Sequence, residues 1–326
     1  MGKIIDAAIA IAVGVGGALL LFFVLNYLVE RLPERWETRL KPYVFIGPAL
    51  LGIGVFLLYP LVRTIFLSVF DDRGEEFVGL DNFTELFDSE DFRDTLVNNL
   101  LWLIIVPPVV VGIGLAVATL ADRLSPRGER LTKSLIFVPM AISFVGAATI
   151  WRFVYESRPE GQPQIGILNA IGTGLGFEPI AFIQKSDLRL NTLLLMVVVI
   201  WLQAGFSMVL LSAAIKSVPA EVIEASRVDG ATERQIFFKV LLPQIWPTVV
   251  TVTVITMILV LKVFDVVYVM TGGNFKTDVI GNRFVIELFQ FGNEGRAAAI
   301  VVILLIAVIP AMIYQVRQFR AQEAAR

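Results

Sequence analysis

The chain has 326 residues, of which 56% are hydrophobic and 17% are charged, and its formal net charge is −2. Soluble chains carry about 25% charged residues, so this composition predicts a helical membrane protein. The sequence contains no cysteine and no histidine, which excludes disulfides, thiol nucleophiles, Ser-His-Asp chemistry and imidazole metal sites. The lack of cysteine and histidine therefore excludes the commonest classes of enzyme. The near-neutral charge argues against a nucleic-acid partner.

Seven apolar runs are long enough to cross a bilayer, which takes about 20 helical residues. They cover residues 4–28, 44–69, 97–121, 131–153, 190–212, 244–268 and 296–316. The first run is longer than the apolar core of a signal peptide and has no small-residue cleavage site, so we expect a retained span. The predicted fold class is all-α, a polytopic membrane protein with seven transmembrane helices.

The distribution of Lys and Arg predicts the orientation, because loops rich in these residues face the cytoplasm. Basic residues are concentrated in 29–43, 122–133, 216–239 and the C-terminal tail, which seven spans place on one side. The other side carries an acidic loop at 70–96 and a Gly- and Pro-rich loop at 154–189. The latter is either a plain connector or a docking surface for an external partner. We expect a multi-pass protein of a bacterial or archaeal plasma (inner) membrane, with its N-terminus outside and its C-terminus in the cytoplasm.

A charged stretch at 218–243 separates the fifth apolar run from the sixth. Pro219 suits the first turn of a helix, and Gly230 can adopt the positive φ of a helix end. Thr232 can then cap a second helix that ends at Pro243. This pattern predicts a helix, a glycine turn and a second helix on one membrane face. On the pattern alone, an amphipathic interfacial linker is as well supported as a functional element.

The motif residues favour the functional element. Glu224-Ala225-Ser226, then Gly230, then Val240-Leu241-Leu242-Pro243 resembles the EAA signature of ABC importer permeases, with every spacing kept. Only Ser226 and Val240 depart from it, where the signature has Ala and Ile, and both replacements are conservative.

Further stretches between about Tyr43 and Arg317 resemble motifs of carbohydrate importer permeases. They are Leu58-Tyr59-Pro60-Leu61, Gly79-Leu80-Asp81-Asn82-Phe83, Asn98-Asn99-Leu100, Phe264-Asp265-Val266-Val267-Tyr268 and Thr271-Gly272-Gly273. Many sugar permeases continue the last motif with Gly-Pro. Asn274-Phe275 follows here, which is similar to permeases of α-glucoside and maltose-type importers.

The resemblance implies a six-helix core of the type I importer fold at residues 44–326. Residues 1–43 would then be an additional N-terminal transmembrane helix and a cytoplasmic linker. Such a permease forms half of a translocation path for a sugar or oligosaccharide in the lipid bilayer. Its partners are a second homologous permease, two cytoplasmic ABC ATPase subunits and an external solute-binding protein. The chain has no Walker A motif, so we expect no cofactor in it and expect the partner ATPase to bind and hydrolyse ATP with Mg²⁺.

The resemblance also assigns a coupling role to the stretch 218–243, whose first helix would dock on the ATPase. The coupling residues are Glu221, Glu224, Ala225, Ser226, Asp229, Gly230, Leu242 and Pro243. Glu224 would pair either with a cation of the ATPase or with an Arg of its own chain.

Four polar residues in apolar runs are candidates for the substrate path. Lys262 and Asp265 are three residues apart, so a continuous helix would place them on one face. They would either neutralise each other or let Asp265 accept hydrogen bonds from sugar hydroxyls. Gln203 and Ser207, four residues apart in the fifth run, would either line the path or bond neighbouring helices. No catalytic residue and no metal site are predicted.

Three alternatives remain open at this stage. The first is an ABC permease for a non-sugar solute such as an amino acid or phosphate. The second is an ion-driven secondary transporter, which would need membrane-buried carboxylates and often shows broken helices or internal repeats. The third is a membrane enzyme, against which the lack of His, Cys and clustered carboxylates argues.

Overall fold

The structure is a computed structural model that describes residues 2–324, and these residues are almost entirely helical. The α-helices are α1 (Gly2–Glu30), α2 (Glu34–Ile53), α3 (Tyr59–Leu67), α4 (Asp81–Asp88), α5 (Glu90–Ala121), α6 (Pro126–Phe137), α7 (Phe144–Val154), α8 (Ile167–Gly174), α9 (Leu190–Lys216), α10 (Ala220–Val228), α11 (Glu233–Ile236), α12 (Leu242–Leu261), α13 (Asp265–Met270), α14 (Ile280–Val285) and α15 (Glu294–Ala324). Within this described part, the only β pairing is an isolated bridge between Phe70 and Phe77. The predicted all-α class is therefore confirmed.

Six helical segments between residues 5 and 317 are long and apolar enough to cross a membrane, and a bent helix pair makes a seventh. The seven match the predicted apolar runs in order. The fourth differs from the expected straight span at 131–153, because α6 and α7 meet at 102°. Pro139 lies in a 3₁₀ turn after α6, and the Ser143 hydroxyl accepts from the N–H of Gly146 to begin α7. A proline followed by a new N-cap ends one helix and starts another, which the apolar composition could not reveal.

Two other segments are more helical than expected. The predicted linker at 29–43 belongs largely to α2, which begins at Glu34 and continues through a π turn at Gly54–Leu58 into α3. The predicted acidic loop at 70–96 contains α4 and the first turns of α5.

The chain divides into two compact units, one ending at Phe66 and the other beginning at Leu67. In the first unit, Phe22 of α1 stacks on Phe45 of α2 with ring centroids 6.2 Å apart. Its two apolar spans have no residue buried in their most apolar windows. Such exposed apolar helices are suited to contact with lipid. The predicted division at residue 43 stays a prediction.

The second unit is built around the close contact between α5 and α9, which small residues make possible. A Cβ on Gly114 of α5 would lie 2.6 Å from the Cβ of Ser207 on α9. A Cβ on Gly205 of α9 would lie 2.5 Å from the carbonyl oxygen of Ile136 on α6. Small residues at helix crossings let backbones approach closely in membrane proteins. Helices α5, α6 and α9 therefore pack with almost no free space at these crossings.

Candidate coupling element and translocation path

The first helix of the charged stretch, α10, ends in a Schellman motif. Gly230 has φ +78°, its N–H donates to the Arg227 carbonyl at 3.0 Å, and the Ala231 N–H donates to the Ser226 carbonyl at 3.0 Å. These two bonds satisfy carbonyls that a helix end leaves free. The structure thus places the turn at the predicted glycine.

A capping box begins the second helix directly after this turn. The Thr232 hydroxyl accepts from the Gln235 N–H, and the Gln235 side chain accepts from the Thr232 N–H at 2.8 Å. Arg227 donates to Glu233 at 2.9 Å across the turn, and this hydrogen bond raises the pKa of Arg227. The turn is therefore fixed by backbone bonds, a capping box and an ion pair.

The sequence predicted that the second helix ends at Pro243, but in the structure the helix continues past this residue. Helix α11 continues through a π turn, Phe237–Leu241, into α12. In that turn the Leu242 N–H bonds to the Phe237 carbonyl, five residues back. The shifted hydrogen-bond register brings Pro243 into the first turn of α12, where a missing N–H is tolerated.

Most of the predicted coupling residues face solvent. Those that are exposed are Glu221, Glu224, Ala225, Asp229, Gly230 and Pro243. Ser226 is half-buried, and its hydroxyl donates to the Val222 carbonyl at 2.8 Å, so it fits where the signature has Ala. Leu242 is half-buried against the α5–α9–α12 core and anchors the element. Val228, which the motif does not include, is 88% exposed at the end of α10.

A cavity of about 320 Å³ lies between α10, the end of α9 and the α5–α6 turn. Glu224 lines this cavity beside Arg227, and none of the ion pairs in the described chain involves Glu224. Arg123 of the α5–α6 turn lies 3.6 Å from Glu233, and Lys216 of α9 lies 2.5 Å from Glu129 of α6. Half-exposed ion pairs contribute little stability individually. The first of these joins α11 to the α5–α6 turn, and the second joins α9 to α6.

Lys262 and Asp265 do not share a helix face, contrary to the sequence-based expectation. Helix α12 ends at Leu261, Phe264 is non-helical at φ −145°, and Asp265 begins α13. Among the described residues the two charges form no ion pair. Both line a cavity of about 330 Å³ with Phe144. The break therefore places two charged side chains, just beyond the apolar span that ends at Leu261, against one cavity. A continuous helix would not have predicted this arrangement.

The second candidate pair separates in the structure. Gln203 is half-buried on α9. Ser207 is fully buried against Gly114 at the α5–α9 crossing, and its hydroxyl has no hydrogen-bond partner among the described residues. Ser207 is thus a helix-packing residue here and has no surface that could line a path. The interhelical bond considered for it is also absent from the described contacts.

At the opposite end of α9, the structure joins three stretches that sequence analysis treated separately. Asn98 donates to the carbonyls of Lys276 and Asp278, each at 2.8 Å. Asn99 accepts from the Ile280 N–H at 2.7 Å, and Asn191 donates to the Phe275 carbonyl at 2.8 Å. The loop 271–279 is therefore held to α5 and α9 by asparagine side chains.

Asp94 of α5 binds both segments that carry unusual backbone angles at this end. Its carboxylate lies 2.7 Å from Arg189 and 3.3 Å from Lys276. The positive-φ non-glycine residues of the described chain are Leu188, Arg189, Phe275 and Lys276. Such angles cost energy and persist only where surrounding contacts impose them. Asp278, in the same loop, has its pKa raised by burial.

The solvent-exposed helix between two membrane-spanning helices, with EAA spacing, defines the permease subunit of an ABC importer. The chain belongs to the family described as binding-protein-dependent transport system inner membrane component, whose model matches residues 99–322. It is therefore a transport subunit of an inner-membrane system.

Two curated relatives are similar over most of the chain. The osmoprotective compounds uptake permease protein GgtC of Synechocystis sp. is 47% identical over 87% of this chain and 100% of its own length. The alpha-glucoside transport system permease protein AglF of Rhizobium meliloti is 46% identical over 87% of this chain and 83% of its own length.

The fold is shared with a solved ABC importer. A chain of a bacterial transporter that imports the acidic polysaccharide alginate superposes with a TM-score of 0.75 at 23% identity, covering 87% of this chain and 99% of that chain. A second structure of a bacterial alginate ABC transporter, in complex with a periplasmic protein that holds an alginate pentasaccharide, gives a TM-score of 0.73 at 22% identity, covering 86% of this chain and 96% of that chain. The predicted importer fold is thereby confirmed.

Proposed function

We propose that this permease takes up a neutral glucoside, a sugar or short oligosaccharide with an α-linked glucose. Relatives at 46% and 47% identity are named for alpha-glucosides and for osmoprotective compounds. The continuation Asn274-Phe275 after Thr271-Gly272-Gly273 supports the same class by resemblance. An α-glucoside that also protects against osmotic stress satisfies both names, so trehalose is the first compound to test, with maltose beside it as an α-glucoside that fits the alpha-glucoside name alone.

The observation that carries the coupling role is the exposed α10 with its fixed turn at Gly230. A nine-residue polar helix that is held rigidly and buries no residue of its own has the form of a docking element. In this proposal α10 sits on a separate ATPase, which binds ATP and Mg²⁺. Glu224 remains unpaired in the described structure and is available to a cation of that ATPase.

The proposed assembly contains a second homologous permease, two ATPases and an external solute-binding protein. The N-terminus lies outside and the C-terminus in the cytoplasm, because Lys and Arg are concentrated on the α10 side. The loop 271–279 and the segment 155–189 then face the solute-binding protein. ATP-driven closure of the ATPases moves the coupling helices together and changes the side of the membrane to which the path opens.

The proposed path includes the cavity that Lys262 and Asp265 line. A carboxylate and an ammonium group at the edge of an apolar cavity can bond sugar hydroxyls while Phe144 contacts the apolar ring face. Gln203 stays a candidate for the path, and Ser207 is withdrawn because it is fully buried.

Uptake by the reconstituted assembly tests this function. Proteoliposomes with both permeases, the ATPases and the solute-binding protein should accumulate labelled trehalose or maltose only with ATP. Asp265→Asn should lower uptake more than tenfold without changing the amount of assembled complex. Asp278→Asn, at a carboxylate outside the cavity, is the matched control and should retain most uptake. Uptake driven by an ion gradient without ATPases would contradict the proposal, as would uptake of amino acids instead of glucosides.

A further inference from the structure

A third cavity, unconnected with the coupling element, lies where α7 passes into the segment 155–189. It has a volume of about 190 Å³, and the loop 271–279 forms its other wall through Phe275. The Tyr155 hydroxyl at its base donates to the Leu194 carbonyl on α9 at 3.1 Å. From Leu194 to Lys216, α9 rises about 33 Å at 1.5 Å per residue. The cavity is therefore at the opposite end of the bundle from α10.

The lining of this cavity combines aromatic rings with polar side chains. Tyr155 is 2% exposed, and its ring lies 6.4 Å from that of Phe182. Four polar side chains reach the same space: Arg152, Glu156, Ser157 and Gln184. Within the described part of the chain, none of these four makes a side-chain hydrogen bond or an ion pair. A guanidinium, a carboxylate, an amide and a hydroxyl thus line one concavity without protein partners.

The walls of the cavity are fixed before any ligand arrives. Asn169 of α8 donates to the Glu156 carbonyl at 3.0 Å and to the Ile180 carbonyl at 2.9 Å, and it accepts from the Ile180 N–H at 2.8 Å. These bonds hold the two sides of the cavity together. Gly166 packs so closely that a Cβ would lie 2.1 Å from the Glu156 carbonyl oxygen. A preformed site loses less conformational entropy on binding than a flexible one.

We propose that this cavity is a subsite for one glucosyl unit of an oligosaccharide, separate from the cavity that Lys262 and Asp265 line. A pyranose presents hydroxyls around its rim and an apolar face, which match the polar side chains and the rings of Phe182 and Phe275. The volume suits a single ring. The inference rests on the proposed glucoside function and adds a site at the end of the bundle where the solute-binding protein would release its sugar.

Binding of labelled maltotriose to the whole importer without its solute-binding protein tests the subsite. The assembly of both permeases and two ATPases in nanodiscs is measured by equilibrium dialysis. Replacing Glu156 and Gln184 together by Ala should weaken binding at least tenfold, a change of about 1.4 kcal/mol. The matched control replaces Glu160 and Gln162 by Ala, the same residue types exposed on the same segment, and should bind as the wild type does.

Any of the following results would contradict the proposed subsite. If the double variant binds as the wild type does, or if the wild type does not bind maltotriose, then no sugar binds in this cavity. A double variant that binds maltotriose normally, yet needs more solute-binding protein for half-maximal ATPase stimulation, makes the cavity a protein-docking contact. Uptake of glucosides by the same wild-type subunits, reconstituted in proteoliposomes with the solute-binding protein, separates these failures from a failure of the proposed function, which would abolish ATP-dependent uptake itself.

Discussion

The turn at Gly230 gives the sharpest test of the coupling role, because its cost can be worked out from the structure. The φ of +78° is unfavourable for any L-residue, whereas a Cβ placed there meets no atom within 4 Å. A substitution therefore adds backbone strain without a steric clash. The strain is about 1–2 kcal/mol for a simple side chain and more for a β-branched one. Asn adopts left-handed angles more readily, so its cost is smaller.

We expect the loss of coupling to rise in the order Asn, Ala, Val at position 230. A cost of about 2–3 kcal/mol for Gly230→Val corresponds to a decrease of roughly 30- to 150-fold in the population with an intact turn. Uptake per inserted permease and the amount of ATPase that copurifies should both fall. Gly230→Asn should stay within about threefold of the wild type.

Gly176 provides a matched control at the other end of the molecule. It has φ +90°, a Cβ there would also meet no atom within 4 Å, and it ends α8 in the same Schellman motif, with its N–H bonded to the Thr173 carbonyl. Gly176→Val should therefore carry the same strain but leave ATPase binding unchanged. Normal uptake by Gly230→Val would refute the coupling role of the turn. Equal loss of ATPase by both variants would show that the strain acts through general misfolding.

Three further predictions concern orientation, the segment 155–189 and the first span. In the cysteine-free chain, a membrane-impermeant thiol reagent should label Asp81→Cys in intact cells, but should label Glu224→Cys only after the membrane is opened; the reverse result would invert the orientation. Asn169→Ala should lose three hydrogen bonds worth about 1 kcal/mol each and make the segment 155–189 more sensitive to limited proteolysis, and unchanged digestion would contradict its organising role. Deletion of residues 2–28 should reduce abundance more than uptake per inserted permease, whereas a large loss of normalised uptake would place α1 on the path.

The sequence predicted the turn at Gly230 correctly because the signals there are local. A glycine at positive φ, a Thr cap and a polar helix are determined by residues within one or two turns. The breaks in the apolar runs were not predicted, since hydropathy is the same for a straight and a bent helix. Pro139 followed by Ser143 carried a local signal for the bend between α6 and α7, whereas the end of α12 at Leu261 has no proline or glycine to mark it.

The contacts made by Asn98, Asn99 and Asn191 could not be predicted from the sequence for a different reason. Their partners, in the loop 271–279 and at Ile280, are between 84 and 181 residues away in the chain. The motifs at Asn98-Asn99-Leu100 and Thr271-Gly272-Gly273 are far apart in the sequence, and only the fold shows that the first binds the residues that follow the second. Ser207 illustrates the converse: a polar residue in an apolar run suggested a path, and its burial against Gly114 shows a helix crossing instead.

The arrangement of α9 explains how a displacement of α10 can reach the far end of the bundle. Helix α9 ends two residues before Val218 of the coupling stretch and begins beside Arg189, whose guanidinium binds Asp94. The close crossings at Gly114 and Gly205 leave no room for α9 to bend independently of α5 and α6. These helices are therefore expected to move as one body. Helix α12 begins in the same charged stretch but ends at Leu261, and α13 begins only at Asp265. We therefore expect motion of α12 relative to α13 to be absorbed most readily at Lys262–Phe264, beside the proposed substrate cavity.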